Sequence, residues 1–437
     1  MYPFQFSSRA ITLILSAFAI AAPLAAANSY LGPTEGHVNF YKHSAPSDDS
    51  YTSSPSSSTI AFLGSNWTRL TTFATYWDQN TKLSWYSRAW AYLDSYAIYT
   101  DPSDSFFAPV VRQHPEWILR DVNGNPLFIN YACAGGTCPQ YAANITDPNG
   151  FRAWWIREAL GLFNRTPAYK GLFIDDVNLD LQCVSNGNGI PTTPVDPATG
   201  QLMTNDAWRT YLADFMAQVR AALPAIEIVH NSIWFLDWSD PNIQREIQAA
   251  DWINLERGVN DNGLRGGWEY WSYNRFLTFI DFLHTNGKGV ILDAEAPTSD
   301  TNPAREYSVA SYLLISNGKD LVGDSSQTPS YWWSGFNSDL GSAASGRYIW
   351  QDLWRRDFQG GMALVNPPDA APVTVTLPAA FTRVDGSIAN SITLNAGEGA
   401  VLKSQAVATQ QAAPPGPGPS APKAYTPPSQ HPNRPRP

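Results

Sequence analysis

The chain has 437 residues, with 38 acidic against 28 basic side chains and a net charge of -10. That balance argues against nucleic acid or an anionic membrane surface as a partner. Charged residues make up 15% of the chain, yet there are 17 Trp and 20 Tyr, a surplus that serves a large core or platforms for the apolar faces of sugar rings.

Residues 1–27 carry Arg9, an apolar run over 11–22 and the triplet Ala25-Ala26-Ala27. This is the layout of a cleaved secretory signal, too short and alanine-rich for a membrane anchor. The expected product is a secreted protein, extracellular or periplasmic, with no membrane contact after cleavage. From about residue 405 the chain becomes AAPPGPGPSAPKAYTPPSQHPNRPRP, which cannot bury enough apolar surface to offset its ordering entropy, so 405–437 reads as a disordered tail.

Between these ends, strands and helices alternate. HVNFY (37–41) is a strand candidate followed by Lys42, and LTTFATY (70–76) is another, followed by Trp77. Residues 82–94 (KLSWYSRAWAYLD) show apolar side chains at helical spacing, and YAIYT (96–100) follows as a strand. The excursion 102–141 contains an Asn-Gly-Asn-Pro turn between two apolar runs, the mark of a hairpin. A helix is expected over 149–163 with Asp147 as its N-cap.

GLFID (171–175) is then a short apolar run that stops at Asp175 and Asp176. It suits a parallel strand buried on both faces. Further strands are expected at 226–231 (IEIVHN), 251–256 (DWINLE), 288–293 (KGVILD) and 320–323 (DLVG). Helices are expected at 205–223, 241–249, 271–286, 304–316 and 348–356. Eight strand candidates between 37 and 323 fit an α/β (β/α)8 TIM barrel over residues 28–356. An open doubly wound sheet is the rival, but no Gly-rich phosphate fingerprint follows the first strand. Residues 357–404 have strand runs and turns with no helix between them, and read as a small antiparallel, β-sandwich-like domain.

Cys133, Cys138 and Cys183 are the three cysteines. In an exported protein the CAGGTC spacing favours a Cys133–Cys138 disulfide, with the other pairings open. No CxxC pair or His-rich cluster exists, so neither a metal nor another cofactor is expected. His230, inside a strand, reads as a core histidine.

Four strands of the second half end in polar residues: Asp175 and Asp176, Asn231, Glu256, and Asp293 with Glu295. Barrel strands deliver such side chains to one mouth, where acids repel unless they bind something or tune one another. Two carboxyl groups, one ionised and one protonated, are the machinery of glycoside hydrolysis. The bland alternatives are a strand-ending cap for Asp175 and a local ion pair with Arg257 for Glu256. Candidate substrate contacts are Lys42, Trp77, Asp176, Asn231, Trp234, Arg257, Asp293 and Glu295. Trp268, Trp271, Trp332 and Trp333 are further candidate sugar platforms.

GLFIDDV followed two strands later by DWINLERG resembles secreted glycoside hydrolases with a retaining barrel. The likeness is to the endo-α-1,4-polygalactosaminidase family and related uncharacterised glycosyl hydrolase families, and HPEW, DPNGFRAWW and GGMALVNP extend it over residues 35–403. The resemblance implies Asp175 as nucleophile and Glu256 as acid/base. Strand alternation would turn Asp176 toward the helix layer or the following loop. Lys42, Trp234, Asn260 and the 178–202 loop have no counterpart in that pattern, so the sugar does not carry over, although an acidic protein suits an amino-sugar polymer. A monomer acting on a polysaccharide is expected. The alternatives are a catalytically inactive glycan-binding barrel and a metal-dependent phosphodiesterase-type hydrolase.

Overall fold

The computed structural model describes residues 34–44, 55–72, 86–104, 106–133, 136–166, 169–185, 189–232, 237–261, 263–292, 301–323 and 332–405. The signal segment, Trp77, Trp234, Asp293, Glu295 and the tail beyond 405 lie outside them.

The strands in chain order are β1 (Tyr41–Ser44), β2 (Arg69–Thr72), β3 (Ala89–Asp94), β4 (Ala97–Tyr99), β5 (Leu127–Ile129), β6 (Gln140–Ala142), β7 (Gly171–Val177), β8 (Cys183–Ser185), β9 (Ile190–Pro191), β10 (Glu227–Ser232), β11 (Trp252–Leu255), β12 (Gly289–Leu292) and β13 (Leu321–Val322). Eight of them form one parallel sheet ordered β1-β2-β3-β7-β10-β11-β12-β13. A parallel bridge between Phe40 and Val322, with the Val322 N–H donated to Asn39 O at 3.0 Å, joins the last strand to the first. The sheet thus closes as a barrel, as the alternation predicts. The helices are α1 (Ser57–Asn66), α2 (Phe107–Gln113), α3 (Phe151–Arg165), α4 (Asn205–Ala222), α5 (Pro241–Ala249), α6 (Tyr273–Thr285) and α7 (Asn302–Ile315). In α4 the apolar stripe Trp208, Leu212, Phe215, Met216 and Val219 is fully buried, and Thr204 caps the first turn by accepting from the Ala207 N–H. Among the described residues no helix is long and apolar enough to cross a membrane.

Four expectations fail. Residues 89–94 are strand, not helix: AWAYLD is buried along its whole length, so no alternation marks it, and its aromatics mimic helical spacing by chance. Residues 97–99 belong instead to a separate five-stranded antiparallel sheet, β4-β6-β5-β8-β9, built from the excursions after β3 and β7. Asp147 does not cap α3, whose N-cap is Gly150, and its carboxylate accepts from the Asn149 N–H.

Residues 348–356 are the fourth: they form two strands, β14 (Tyr348–Trp350) and the start of β15 (Leu353–Phe358). The turn between them uses Gln351 and Asp352 at φ 49° and 67°, the left-handed pair that a two-residue hairpin demands. With β16 (Gly361–Asn366), β17 (Val373–Arg383), β18 (Ile388–Leu394) and β19 (Glu398–Ser404) they make one six-stranded antiparallel sheet. It lies on α7. Gly399 lets β19 approach closely, since a Cβ there would sit 2.7 Å from Ala310 Cβ. The Glu306 carboxylate of α7 accepts the Val401 N–H at 3.1 Å.

Cys133 and Cys138 are disulfide-bonded, and Cys183 is free and buried.

The lower end of the barrel is plugged by a charged layer. Arg69 donates from Nε and Nη2 to the two oxygens of Glu227 at 3.0 and 2.9 Å, and Trp90 Nε1 donates to the same carboxylate at 2.8 Å. A Cβ on Gly171 would stand 2.8 Å from the Trp90 ring, so only glycine starts β7 here. Both ions are buried, and removing one partner strands the other charge away from water. Glu227→Ala is therefore expected to cost about 3–5 kcal/mol, measured as a lower urea midpoint.

Candidate active site

The apolar run of β7 fixes where its carboxylates emerge. Leu172, Phe173 and Ile174 are fully buried, and the strand surfaces at Asp175 and Asp176. Opposite, on β10, the pairing jumps: His230 faces Ile174, but Ser232 faces Val177. Two acids thus oppose the single residue Asn231, which is a β-bulge. Asp176 sits at φ 55°, a conformation that Asp tolerates better than most side chains.

The bulge folds the Asp176 N–H back onto Asp175 Oδ1 at 2.8 Å. The same oxygen accepts from Asn231 Nδ2 at 2.8 Å, and Asp175 Oδ2 accepts from the Tyr92 hydroxyl. Three hydrogen-bond donors thus reach one carboxyl group.

Asn231 joins the two acids. Its Nδ2 donates to Asp175 Oδ1 and also to Glu256 Oε2 at 3.0 Å. Buried Asn254 on β11 sets the direction of that amide by donating from Nδ2 to Asn231 Oδ1 at 3.1 Å. The facing oxygens of Asp175 and Glu256 can lie no farther apart than those two bonds laid end to end, 2.8 and 3.0 Å. Desolvation lifts the Glu256 carboxyl above the ordinary glutamate range, and the Asp175 charge adds to the rise. Arg257 is exposed, with Nε 3.7 Å from Glu256 Oε1.

The cluster extends beyond the expected residues. Asp94 ends β3 level with Asp175, is buried, and places Oδ1 2.7 Å from the same Tyr92 hydroxyl. Tyr99 is raised first by burial, then by the Asp94 charge and a hydrogen bond to that carboxylate. The Asp176 carboxyl is held well above its usual range by burial, by Asp175 and by Asp94, with Asn178 Nδ2 donating to it at 3.1 Å. The Asp176 carboxyl thus meets Asn178 of the following loop while staying within the field of the other acids. His43, on β1, packs edge-on against Phe173 and Tyr92. Desolvation and the Lys42 charge pull it down to about 3, leaving a neutral imidazole.

Of the expected residues, the structure brings together Asp175, Asp176, Asn231, Glu256 and Arg257. Lys42 is buried on β1 between Tyr41 and His43, whose rings face Phe173 inside the barrel, so alternation turns it away from that interior. Trp332 and Trp333 pack around Phe336, whereas Trp268 is 62% exposed. His230 is a core residue, bonded through Nδ1 to Glu246 at 2.6 Å. Tyr92, Asp94 and Asn254 were missed. WAYLD carries the same signal as GLFID, an apolar run stopped by an acid, but helical spacing masked it. Asn254 looks like one polar residue inside WINL.

A family model described as hypothetical glycosyl hydrolase family 15 matches residues 75–362. Among solved structures, the glycoside hydrolase domain of PelA from Pseudomonas aeruginosa is similar at 16% identity, over 66% of this chain and 94% of that one, with a TM-score of 0.37. An α-amylase from Geobacillus thermoleovorans, complexed with acarbose, is similar at 9% identity, over 85% and 99%, with a TM-score of 0.41. No curated protein matches the chain.

Proposed function

The chain belongs to hypothetical glycosyl hydrolase family 15, and from that premise we propose a secreted enzyme that cleaves a polysaccharide at internal bonds with retention of configuration. Asp175 is the nucleophile and Glu256 the general acid/base. An Asp175 oxygen forms a bond to the anomeric carbon while the bond to the leaving sugar breaks, and Glu256 gives its proton to the leaving oxygen. The Glu256 carboxylate then takes a proton from water as that water's oxygen displaces Asp175.

One observation carries this reading: a single Asn231 amide bonded to both carboxyl groups, at 2.8 and 3.0 Å. Retaining enzymes separate their carboxyls by roughly 5–5.5 Å and inverting ones by roughly 6.5–9.5 Å, to admit a water. Facing oxygens held by two bonds to one nitrogen support the first range. The Glu256 carboxyl, raised by desolvation, suits the partner that donates a proton.

Internal cleavage follows the resemblance to the endo-α-1,4-polygalactosaminidase family. Export by residues 1–27 fits the Cys133–Cys138 disulfide. We take the barrel as the catalytic unit of a monomer and end it at 347, because β14 and β15 belong to the terminal sheet, an accessory unit over 348–404.

The test is a panel of neutral, acidic and amino-sugar polysaccharides. Viscosity should fall faster than reducing ends appear, and the first product seen by proton NMR should keep the anomeric form of the substrate. An inverted first product would overturn the assignment. Glycan binding without cleavage would favour an inactive barrel, and activity lost to a chelator a metal-dependent hydrolase.

A further inference from the structure

The Tyr92 hydroxyl touches two acids, Asp94 Oδ1 at 2.7 Å and Asp175 Oδ2, but a phenol has one hydrogen to donate. It can serve only one ionised carboxylate at a time. We propose that Tyr92 and Asp94 form a positioning pair that regulates the negative charge on Asp175, the Tyr92 hydrogen bond passing to Asp94 whenever Asp175 is esterified. This rests on the reading of Asp175 as nucleophile.

The pair is built to hold its place. Tyr92 is buried, stacked on Phe173 at 6.0 Å and set edge-on to His43 at 6.2 Å, so its hydroxyl cannot swing to solvent. Asp94 is 2% exposed, its backbone carbonyl accepts from Trp155 Nε1 at 2.8 Å, and its carboxylate has Tyr99 as a second phenol neighbour. Among the described residues, the other titratable or charged groups around the pair and Asp175 include His43 with Lys42 behind it on β1, Tyr96 after β3, Asp176 on β7 and Glu256 after β11.

The two members pull in opposite directions. A negative charge on Asp94 and a hydrogen bond from Tyr92 act on the Asp175 carboxylate with opposite sign. When Asp175 forms its ester it loses its charge, its free oxygen becomes a weaker acceptor, and Asp94 becomes the stronger claimant on the Tyr92 hydrogen. No proton changes owner; only the hydrogen bond reorients. Hydrolysis of the ester returns it.

The experiment titrates the free, full-length protein labelled with ¹³C at the Asp carboxyls, and so requires no substrate. The Asp175 resonance is identified by its absence in Asp175→Asn. Tyr92→Phe, which keeps the ring, should move the Asp175 midpoint up by about one pH unit, and Asp94→Asn should move it down by a similar amount. The acidic limb of kcat/KM on any polysaccharide the protein cleaves should follow in the same two directions. Displacement of both variants in one direction, or of neither, overturns the proposal; a packing role alone would lower Tm without opposed shifts. Failure of the nucleophile reading is seen separately, as an Asp175→Asn variant that still cleaves.

Discussion

Glu256→Gln is expected to lower kcat by about 10²–10⁴-fold on a natural polysaccharide, and Asp175→Asn by at least as much, with Tm close to wild type in both. The two losses differ in kind. On the proposed mechanism Glu256 gives a proton to a poor leaving group, so a substrate with an acidic phenol as aglycone should recover most of the first chemical step in Glu256→Gln. A nucleophilic Asp175 would form the bond itself, so the same substrate should recover nothing in Asp175→Asn. A tenfold loss is about 1.4 kcal/mol of barrier; a loss of two to four such steps is more than an exposed ion pair between Glu256 and Arg257 supplies. Full activity of either variant on every polysaccharide would remove that residue from the chemistry.

Asp176→Asn should stabilise the fold. Burial, then the charges of Asp175 and Asp94, hold the Asp176 carboxyl well above its ordinary range, so the folded chain keeps a proton that the unfolded chain releases near pH 4. Between that pH and the raised folded value the unfolded state binds fewer protons, and stability falls as pH rises. Above the folded value the whole penalty is present; below about pH 4 it vanishes. Asn has no such ionisation and keeps an oxygen for the Asn178 donor. The variant should therefore melt higher at neutral pH, on the order of a few degrees, with a flatter dependence on pH and curves that converge in acid. Glu256 is raised in the same direction and adds to the slope. A variant melting below wild type at pH 7 would mean that the Asp176 charge is welcome where it stands.

How far the residues announced this arrangement depends on what each feature needs. The ring of strands was readable because β7, β11 and β12 are apolar on both faces and end at or beside acids. Asp175 and Glu256 could be named for the same reason. The third barrel strand was not readable, because WYSRAWAYLD satisfies helical spacing while lying in a fully buried strand. The β14–β15 hairpin was hidden by Gln351 and Asp352, two residues that rarely take left-handed geometry together. The bulge at Asp175 and Asp176 is a relation between strands 56 positions apart, and nothing local in GLFIDDV encodes it. The partnership of Asn231 with both acids depends on Asn254, whose orientation exists only once β10 and β11 pair.

Every residue of α7 from Arg305 to Ile315 is buried. A helix with no wet side belongs equally to whatever lies on each flank. The terminal sheet is therefore no cassette that recombination could swap or a designer could trim. Cutting the gene ahead of it would lay bare one flank of a barrel helix and leave the Glu306 acid without its strand, and the catalytic half would be born sticky. Any natural exchange of that appendage must carry a matching helix along with it.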